Sequence, residues 1–328
     1  AVEMASVPSY ALAGIMRGQK PASEAALKYS IYGAGAAGVM LYGISLLAGL
    51  VNTVHLPSIA LALSANIGEM SHSEHLVLIL AGLMIGVGLA FKLSAVPFHF
   101  WCPDIFEGAT AEIGAFLSIA SKAAALALLV RVCFGIGMIG PERITAADLP
   151  KPVVEQPAVS EDESEEATVA QVEATSAGLF LVEDHVGNHA QVAANTDADP
   201  LTPVRSFMGV LIAVLAAVTC TFGNLAAYGQ TNIKRMLAYS TIAHAGYMLV
   251  GVAGLGTALS LGIGPDAILQ TLLLYLAVYA LMNLGAFAVL LALEEASSRE
   301  IVELADFKGL GREHPVFGLL LGFFLLSL

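Results

Sequence analysis

Six stretches of mostly apolar residues, at about 25–50, 76–101, 111–139, 206–229, 235–256 and 267–293, are each long enough to cross a bilayer, which takes about 20 helical residues. No other feature restricts the fold so strongly. Backbone polar groups in lipid must be satisfied inside the segment, so spanning chains are helices or closed barrels, and apolar runs of this length are helices. The expected fold class is all-α, a polytopic transmembrane helix bundle. Ala1 to Met16 and Pro315 to Leu328 are also apolar, and we read them as incomplete spans of a longer chain. With 57% apolar and 12% charged residues among 328, the composition lies outside the soluble range.

The net charge of -13 is local. Between Pro141 and Val204 stand 13 carboxylates against Arg143 and Lys151, so that segment holds -11 of it. No basic surface exists for nucleic acid or another polyanion. The segment is rich in Pro, Glu, Ala and Val and poor in aromatics, which cannot offset the entropy of ordering, so most of 141–200 is expected to be disordered outside the membrane. The organisation is then a first set of helices over 1–139, an acidic extracytoplasmic insert over 140–204 and a second set over 205–328. Cys102, Cys133 and Cys220 show no CxxC spacing, which leaves no disulfide framework and no iron–sulfur or zinc site. A GxGxxG framed by a strand and a helix is also missing, so no nucleotide fold is expected.

Loop charge sets the orientation. Arg17, Lys20, Lys234, Arg235, Arg299, Lys308 and Arg312 fall on one side, against Arg143, Lys151 and Arg205 on the other. The first side is cytoplasmic by the positive-inside rule. Residues 102–110 are read as a loop without Lys or Arg. Residues 56–70 (LPSIALALSANIGEM) suit a short amphipathic helix at the outer interface.

A charge inside a spanning helix costs about 2.5–3.5 kcal/mol, so each one needs a reason. From about 1.5 Å of rise per residue, Glu3 lies about 21 Å from the cytoplasmic end of its helix, Lys92 about 16 Å, and Lys122 and His244 about 15 Å each. Four titratable groups on four helices thus share one layer near mid-membrane. A row of Lys, His and Glu at one depth suits protons moving sideways in the membrane plane, whereas a substrate transporter gathers its charge around one pocket. If Glu3 and Lys92 come within about 6 Å at an effective dielectric near 20, they attract by about 2.8 kcal/mol, and opening that pair frees a proton. Lys28, about 10 Å inside, also suits a lysine that snorkels to the cytoplasmic surface. Arg131 reads as an interface anchor. His244 also suits a hydrogen-bonded core histidine served by Ser240 and Thr241.

Helix interruption is the second signal. Pro97 follows Lys92 by five residues, removes a backbone donor and clashes with the preceding turn, so the helix is expected to break between them. Membrane helices break where the backbone is buried in protein or faces water, which places Lys92 beside hydration, with Ser94 and His99 able to extend the path. For His99 the competing role is capping at the break. Glycines 82, 86 and 88, with 33, 35, 38 and 43 of the preceding helix, suit close helix contact.

These residues carry a family resemblance. FKLSAVPFHFWCPDIFEGA (91–109), SKAAALALLVRV (121–132) and TNIKRMLAYSTIAHAGYMLVG (231–251) resemble the antiporter-like subunits of respiratory complex I, the proton-pumping NADH-quinone oxidoreductase, and among them subunit N. The resemblance covers nearly the whole chain outside the insert. It implies fourteen transmembrane helices in a full subunit, with this chain holding the fifth to the start of the twelfth. It also implies that Glu3 and Lys92 form a switching pair, that Lys122 and His244 pass the proton along the central axis, and that Lys28 is the sixth-helix lysine. Cys102 stands where the family usually has Thr, Glu107 where it has Gln, and Thr110 where it has Pro. None of these touches the buried row.

The function implied is proton translocation coupled to quinone reduction elsewhere. NADH, FMN, iron–sulfur clusters and quinone are expected in other subunits, and this chain is expected to bind no cofactor and no metal. Its expected partners are the L- and M-type antiporter-like subunits, small membrane subunits and the lipid bilayer, in a bacterial inner membrane. Alternatives are a subunit of a multisubunit cation/proton antiporter, and an assembly scaffold whose buried charges are relics.

Overall fold

The structure, a computed structural model, describes residues 2–16, 18–135, 201–260, 265–297 and 301–327; the side chains described are those from 6 onward, apart from 134, 135, 203, 256–260 and 327. Eleven α-helices are found among the described residues: α1 Val2–Ala13, α2 Lys20–Val51, α3 Leu56–Asn66, α4 His72–Leu93, α5 Trp101–Gly108, α6 Ala111–Gly135, α7 Thr202–Tyr228, α8 Ile233–Ser260, α9 Pro265–Ser297, α10 Leu310–Glu313 and α11 Pro315–Ser327. Six of them (α2, α4, α6, α7, α8 and α9) are long and apolar enough to cross a membrane, and they match the six expected spans. Most of the acidic segment expected to be disordered lies outside the described residues.

Local chemistry explains the ends of α4. Ser71 caps its start: the Glu74 backbone N–H donates to Ser71 Oγ at 3.3 Å and Glu74 Oε2 accepts from the Ser71 backbone N–H at 2.7 Å, a reciprocal capping box. At the other end Ser94 takes a left-handed conformation (φ 59°) and Ala95 N donates to Ala90 O at 2.8 Å, closing the last turn. The break therefore falls between Lys92 and Pro97, as expected from the sequence. The span expected over 76–101 stops at Leu93, and the Val96–Pro97 peptide is cis.

The stretch read as a loop over 102–110 is largely helical: α5 buries Trp101, Cys102, Ile105 and Phe106 against α2 and α8. Its eight residues are too few for a periodicity to show between Pro97 and Thr110. Helix α3 buries Ile59, Ala60 and Leu63 against the bundle, so it is a packed helix rather than one resting only on an interface.

Only some of the glycines allow close approach. A Cβ at Gly43 would stand 2.8 Å from Met84 Cβ, one at Gly88 2.5 Å from Met40 Cβ, and one at Gly33 would overlap Tyr10, whereas Gly35, Gly38, Gly82 and Gly86 face open space. The same device joins α7 to α8. Gly223 lies under Ala243 and Gly246 under Cys220, each with backbone 2.6 Å from the position of a Cβ.

Two hydrophobic clusters make the core. One gathers Trp101, Phe106, Tyr29, Ile233, Leu237 and Phe287; the other gathers Leu63, Leu93, Leu126, Leu129, Met248 and Tyr279. Five helices (α2, α4, α6, α8 and α9) contribute to both, and on three of them a buried polar residue falls between the two contributions. On α6, Leu117 belongs to the first cluster and Ala125 to the second, with Ser118 and Lys122 between them. On α8, Ile242 and Met248 flank His244 in the same way, and on α9 Tyr279 and Ala286 flank Asn283.

Candidate functional site

The broken helix builds one side of the site. Breaking α4 frees backbone groups that lipid could not satisfy, and side chains from elsewhere meet them: Val96 N donates to Thr219 Oγ1 of α7 at 3.1 Å, and Trp101 Nε1 donates to Phe91 O at 2.9 Å. Trp101 also stacks on Tyr29 with ring centroids 4.6 Å apart. Lys92, in the last turn of α4, is half-buried and its Nζ donates to Ser6 Oγ of α1. Glu3 belongs to the same helix as Ser6, one turn earlier. Its side chain lies outside the described residues, and with it the expected Glu3–Lys92 pair.

Lys122 is fully buried on α6. Its Nζ has no hydrogen-bond partner among the described residues and stands 6.0 Å from the centroid of the Trp101 ring. A cation–π contact at that range contributes about 0.5–2 kcal/mol, less than the roughly 2.5–3.5 kcal/mol that burying the charge costs. A polar partner is needed beyond the ring. Ser118, one turn earlier and also fully buried, accepts a hydrogen bond from Asn283 Nδ2 at 2.5 Å through its hydroxyl, and its backbone O accepts from Tyr279 Oη at 3.0 Å.

His244 is buried on α8. Its Nδ1 lies 2.6 Å from Tyr275 Oη, and its ring lies 5.1 Å from that of Tyr279. Thr241, offered by the sequence as a partner, donates to Ala238 O at 2.8 Å and approaches Cys102 Sγ at 3.8 Å. Ser94 Oγ and His99 Nδ1, at the break, are buried without a hydrogen-bond partner among the described residues. The His99 ring stands edge-on to Phe222 at 4.6 Å, and its backbone O accepts from Cys102 N at 2.9 Å, which caps the start of α5.

Lys28 belongs to a separate group. Its Nζ donates to Asp104 Oδ2 at 2.9 Å and sits 2.7 Å from Glu24 Oε1, with 38% of the side chain exposed. Asp104 Oδ1 also accepts from Arg235 at 3.2 Å, and Arg235 reaches Glu107 Oε2 at 2.5 Å. Arg235 precedes His244 by nine residues, about 14 Å along α8. Lys28 is thus a partly exposed ion-pairing lysine at one end of the bundle.

Sequence reasoning missed Ser6, Ser118, Thr219, Tyr275, Tyr279 and Asn283. Three of these were accessible to it: Tyr275, Tyr279 and Asn283 recur every four residues along one face of an otherwise apolar α9. Ser6 and Thr219 were not, because serine and threonine are unremarkable in a membrane helix until the neighbouring helix is placed.

Comparison with known proteins agrees with this architecture. The transmembrane family described as NADH:quinone oxidoreductase/Mrp antiporter matches residues 1–141 and 174–328. NADH-quinone oxidoreductase subunit N of Anaeromyxobacter sp. is 35% identical over the whole chain and 52% of its own length, and subunit N 2 of Solibacter usitatus 33% identical over the whole chain and 50% of its own. The chain therefore spans about half the length of these relatives. Among solved structures, respiratory complex I of Thermus thermophilus with bound aureothin matches at TM-score 0.58 and 28% identity, over 99% of this chain and 56% of that one. The Mrp complex of Dietzia sp. matches at TM-score 0.63 and 18% identity, over 99% of this chain and 45% of that one, which establishes a shared fold alone. A helical membrane bundle, a helix broken behind a lysine and a family match over most of its length lead to one conclusion: the chain belongs to the NADH:quinone oxidoreductase/Mrp antiporter transmembrane family.

Proposed function

We propose that this chain is a proton-translocating membrane-arm subunit of a bacterial NADH-quinone oxidoreductase in the inner membrane. Glu3, Lys92, Lys122 and His244 carry the proton, and His99 lies on the hydrated side of the α4 break. Lys28 is assigned to the cytoplasmic mouth of the path, a role that its partial exposure and its ion pairs with Glu24 and Asp104 support. The observation that carries this reading is the polar layer between the two cores, where Lys122 and His244 sit buried on adjoining helices at the level at which both clusters stop. Apolar residues fill that level more stably, so the cost of the buried charge points to conduction. NADH, FMN, iron–sulfur clusters and quinone belong to other subunits in this reading, and the neighbours are other membrane subunits, including L- and M-type relatives. Electron transfer there drives the proton here through conformational coupling.

The experiment is to place Lys92→Ala and Lys122→Ala in the assembled complex and measure proton pumping together with NADH-driven quinone reduction. Both variants are expected to lower pumping and coupled turnover while assembly persists. Wild-type coupled rates in both would refute the reading. Sodium-dependent exchange without quinone reductase activity would select the cation/proton antiporter instead.

A further inference from the structure

The polar stripe on α9 is not explained by the four relay residues. Tyr275, Tyr279 and Asn283 follow one another at intervals of one turn, spanning about 12 Å of helix. One end touches His244 through Tyr275, and the other touches Ser118, one turn from Lys122.

The hydrogen bonds fix which atom of the Asn283 amide is left over. The Ser118 hydroxyl gives its proton to Ala115 O at 2.7 Å, and the Tyr279 hydroxyl gives its own to Ser118 O. Both are therefore acceptors toward Asn283, which donates to them through Nδ2 at 2.5 and 3.3 Å. Oδ1 is left as an acceptor, fully buried and without a hydrogen-bond partner among the described residues. Lys122 Nζ, a donor, is in the same position. A buried acceptor and a buried ammonium on facing helices, both unsatisfied, are complementary, and a water between them accepts from one and donates to the other.

We propose that Asn283, held by Ser118 and Tyr279, binds a buried water against Lys122 and that this water and the α9 hydroxyls form the connection from Lys122 to His244. The proposal rests on the relay reading and assigns positioning roles to Asn283 and Ser118. In the step itself, one N–H bond of the Lys122 ammonium breaks as an O–H bond forms on the water. The water releases a different proton to Tyr279 Oη as that hydroxyl turns from Ser118 O and gives its own proton to Tyr275 Oη. Tyr275 gives its own in turn to the His244 ring, so each O–H bond broken is replaced and the last proton forms an N–H bond. Lys122 ends neutral and His244 cationic, with no electrons moved.

The test uses the full-length subunit in the assembled complex, reconstituted into vesicles, with protons pumped per electron and the solvent deuterium isotope effect as readouts. Asn283→Leu keeps the volume and removes both polar atoms. It is expected to lower coupled turnover about tenfold, the rate cost of one charge-assisted hydrogen bond, and to raise the isotope effect. Asn283→Ser, smaller but able to hold a water, is expected to restore most of the rate, an order opposite to that of a packing role, in which the leucine is the better substitute. Ser118→Ala removes only the hydroxyl that Asn283 grips and is expected to slow turnover severalfold, which keeps the test standing if Asn283→Leu does not assemble. Full coupling in Asn283→Leu, or in Ser118→Ala, beside an impaired Lys122→Ala overturns the proposal and leaves the relay reading in place. Full coupling in Lys122→Ala removes this proposal, and full coupling in Lys92→Ala as well removes the relay reading with it.

Discussion

Lys92 Nζ donates a hydrogen bond to Ser6 Oγ, tying the lysine at the break of α4 to α1 across 86 positions of sequence. The serine holds the ammonium one turn along α1 from Glu3, the place at which the proposed switching pair would close. Ser6→Ala removes that acceptor, and a hydrogen bond to a charged group contributes about 1.5–3 kcal/mol. Coupled turnover of the assembled complex is expected to fall by about tenfold or more, with Ser6→Thr near wild type. Unchanged turnover in Ser6→Ala would show that α1 positions Lys92 without the hydroxyl.

The contact between His244 Nδ1 and Tyr275 Oη, at 2.6 Å, holds the ring in one orientation. Tyr275→Phe frees the imidazole to turn and is expected to slow coupled turnover severalfold at unchanged assembly. Tyr247 supplies the control. Its ring also packs on His244, with centroids 5.6 Å apart, but its hydroxyl accepts from Asn224 Nδ2 at 2.7 Å instead. Tyr247→Phe is expected to leave turnover unchanged, and equal losses in the two variants would reduce the tyrosines to packing.

How far the sequence reached follows from the kind of signal each feature leaves. The spans and the break were legible because length in lipid and a proline behind a lysine act through the backbone and need no partner. The buried lysines stood out against an apolar background for the same reason. The packing of α5 was invisible: eight residues with a proline among them carry too little periodicity, and their burial depends on α2 and α8 arriving from about 70 residues before and about 130 after. Of seven glycines that looked alike in α2 and α4, three meet a neighbouring helix or side chain, a distinction set by helix rotation rather than composition. The partner of His244 failed on similar grounds, since Ser240 and Thr241 are near in sequence and Tyr275 is near in space.

Asp104 binds two cations from two helices, Lys28 of α2 and Arg235 of α8, while Glu107 meets Arg235 alone. Both carboxylates stand on α5, so the network holds the helix that carries Trp101 against Lys122. Asp104→Asn is expected to lower the thermal midpoint of the purified protein by about 2–4 °C at low salt, an effect that shrinks as salt screens the partly exposed charges. Glu107→Gln is expected to do less, because its side chain is more exposed and Arg235 keeps Asp104. A thermal scan of both variants at low and high salt checks the order; a larger loss in Glu107→Gln would place the anchoring pair at Glu107.

Ser94 separates stability from conduction at the break itself. A non-glycine residue in the left-handed region costs about 1–2 kcal/mol, and Ser94 accepts that cost with its hydroxyl fully buried and unbonded among the described residues. Glycine satisfies the same backbone without strain, so Ser94→Gly is expected to raise the thermal midpoint by a few degrees. A hydroxyl serving only the fold is then superfluous, and activity should rise or hold. A hydroxyl that hydrates the end of α4 beside Lys92 is not superfluous, and coupled turnover should fall even as the midpoint rises. The second outcome is expected, because a strained buried polar residue persists where function uses it. Ser94→Val, which adds a β-branch to a left-handed turn, is expected to lower both quantities. Thermal scans paired with pumping measurements on the two variants decide the matter, and a Ser94→Gly protein that is more stable and fully coupled would assign the serine to folding alone.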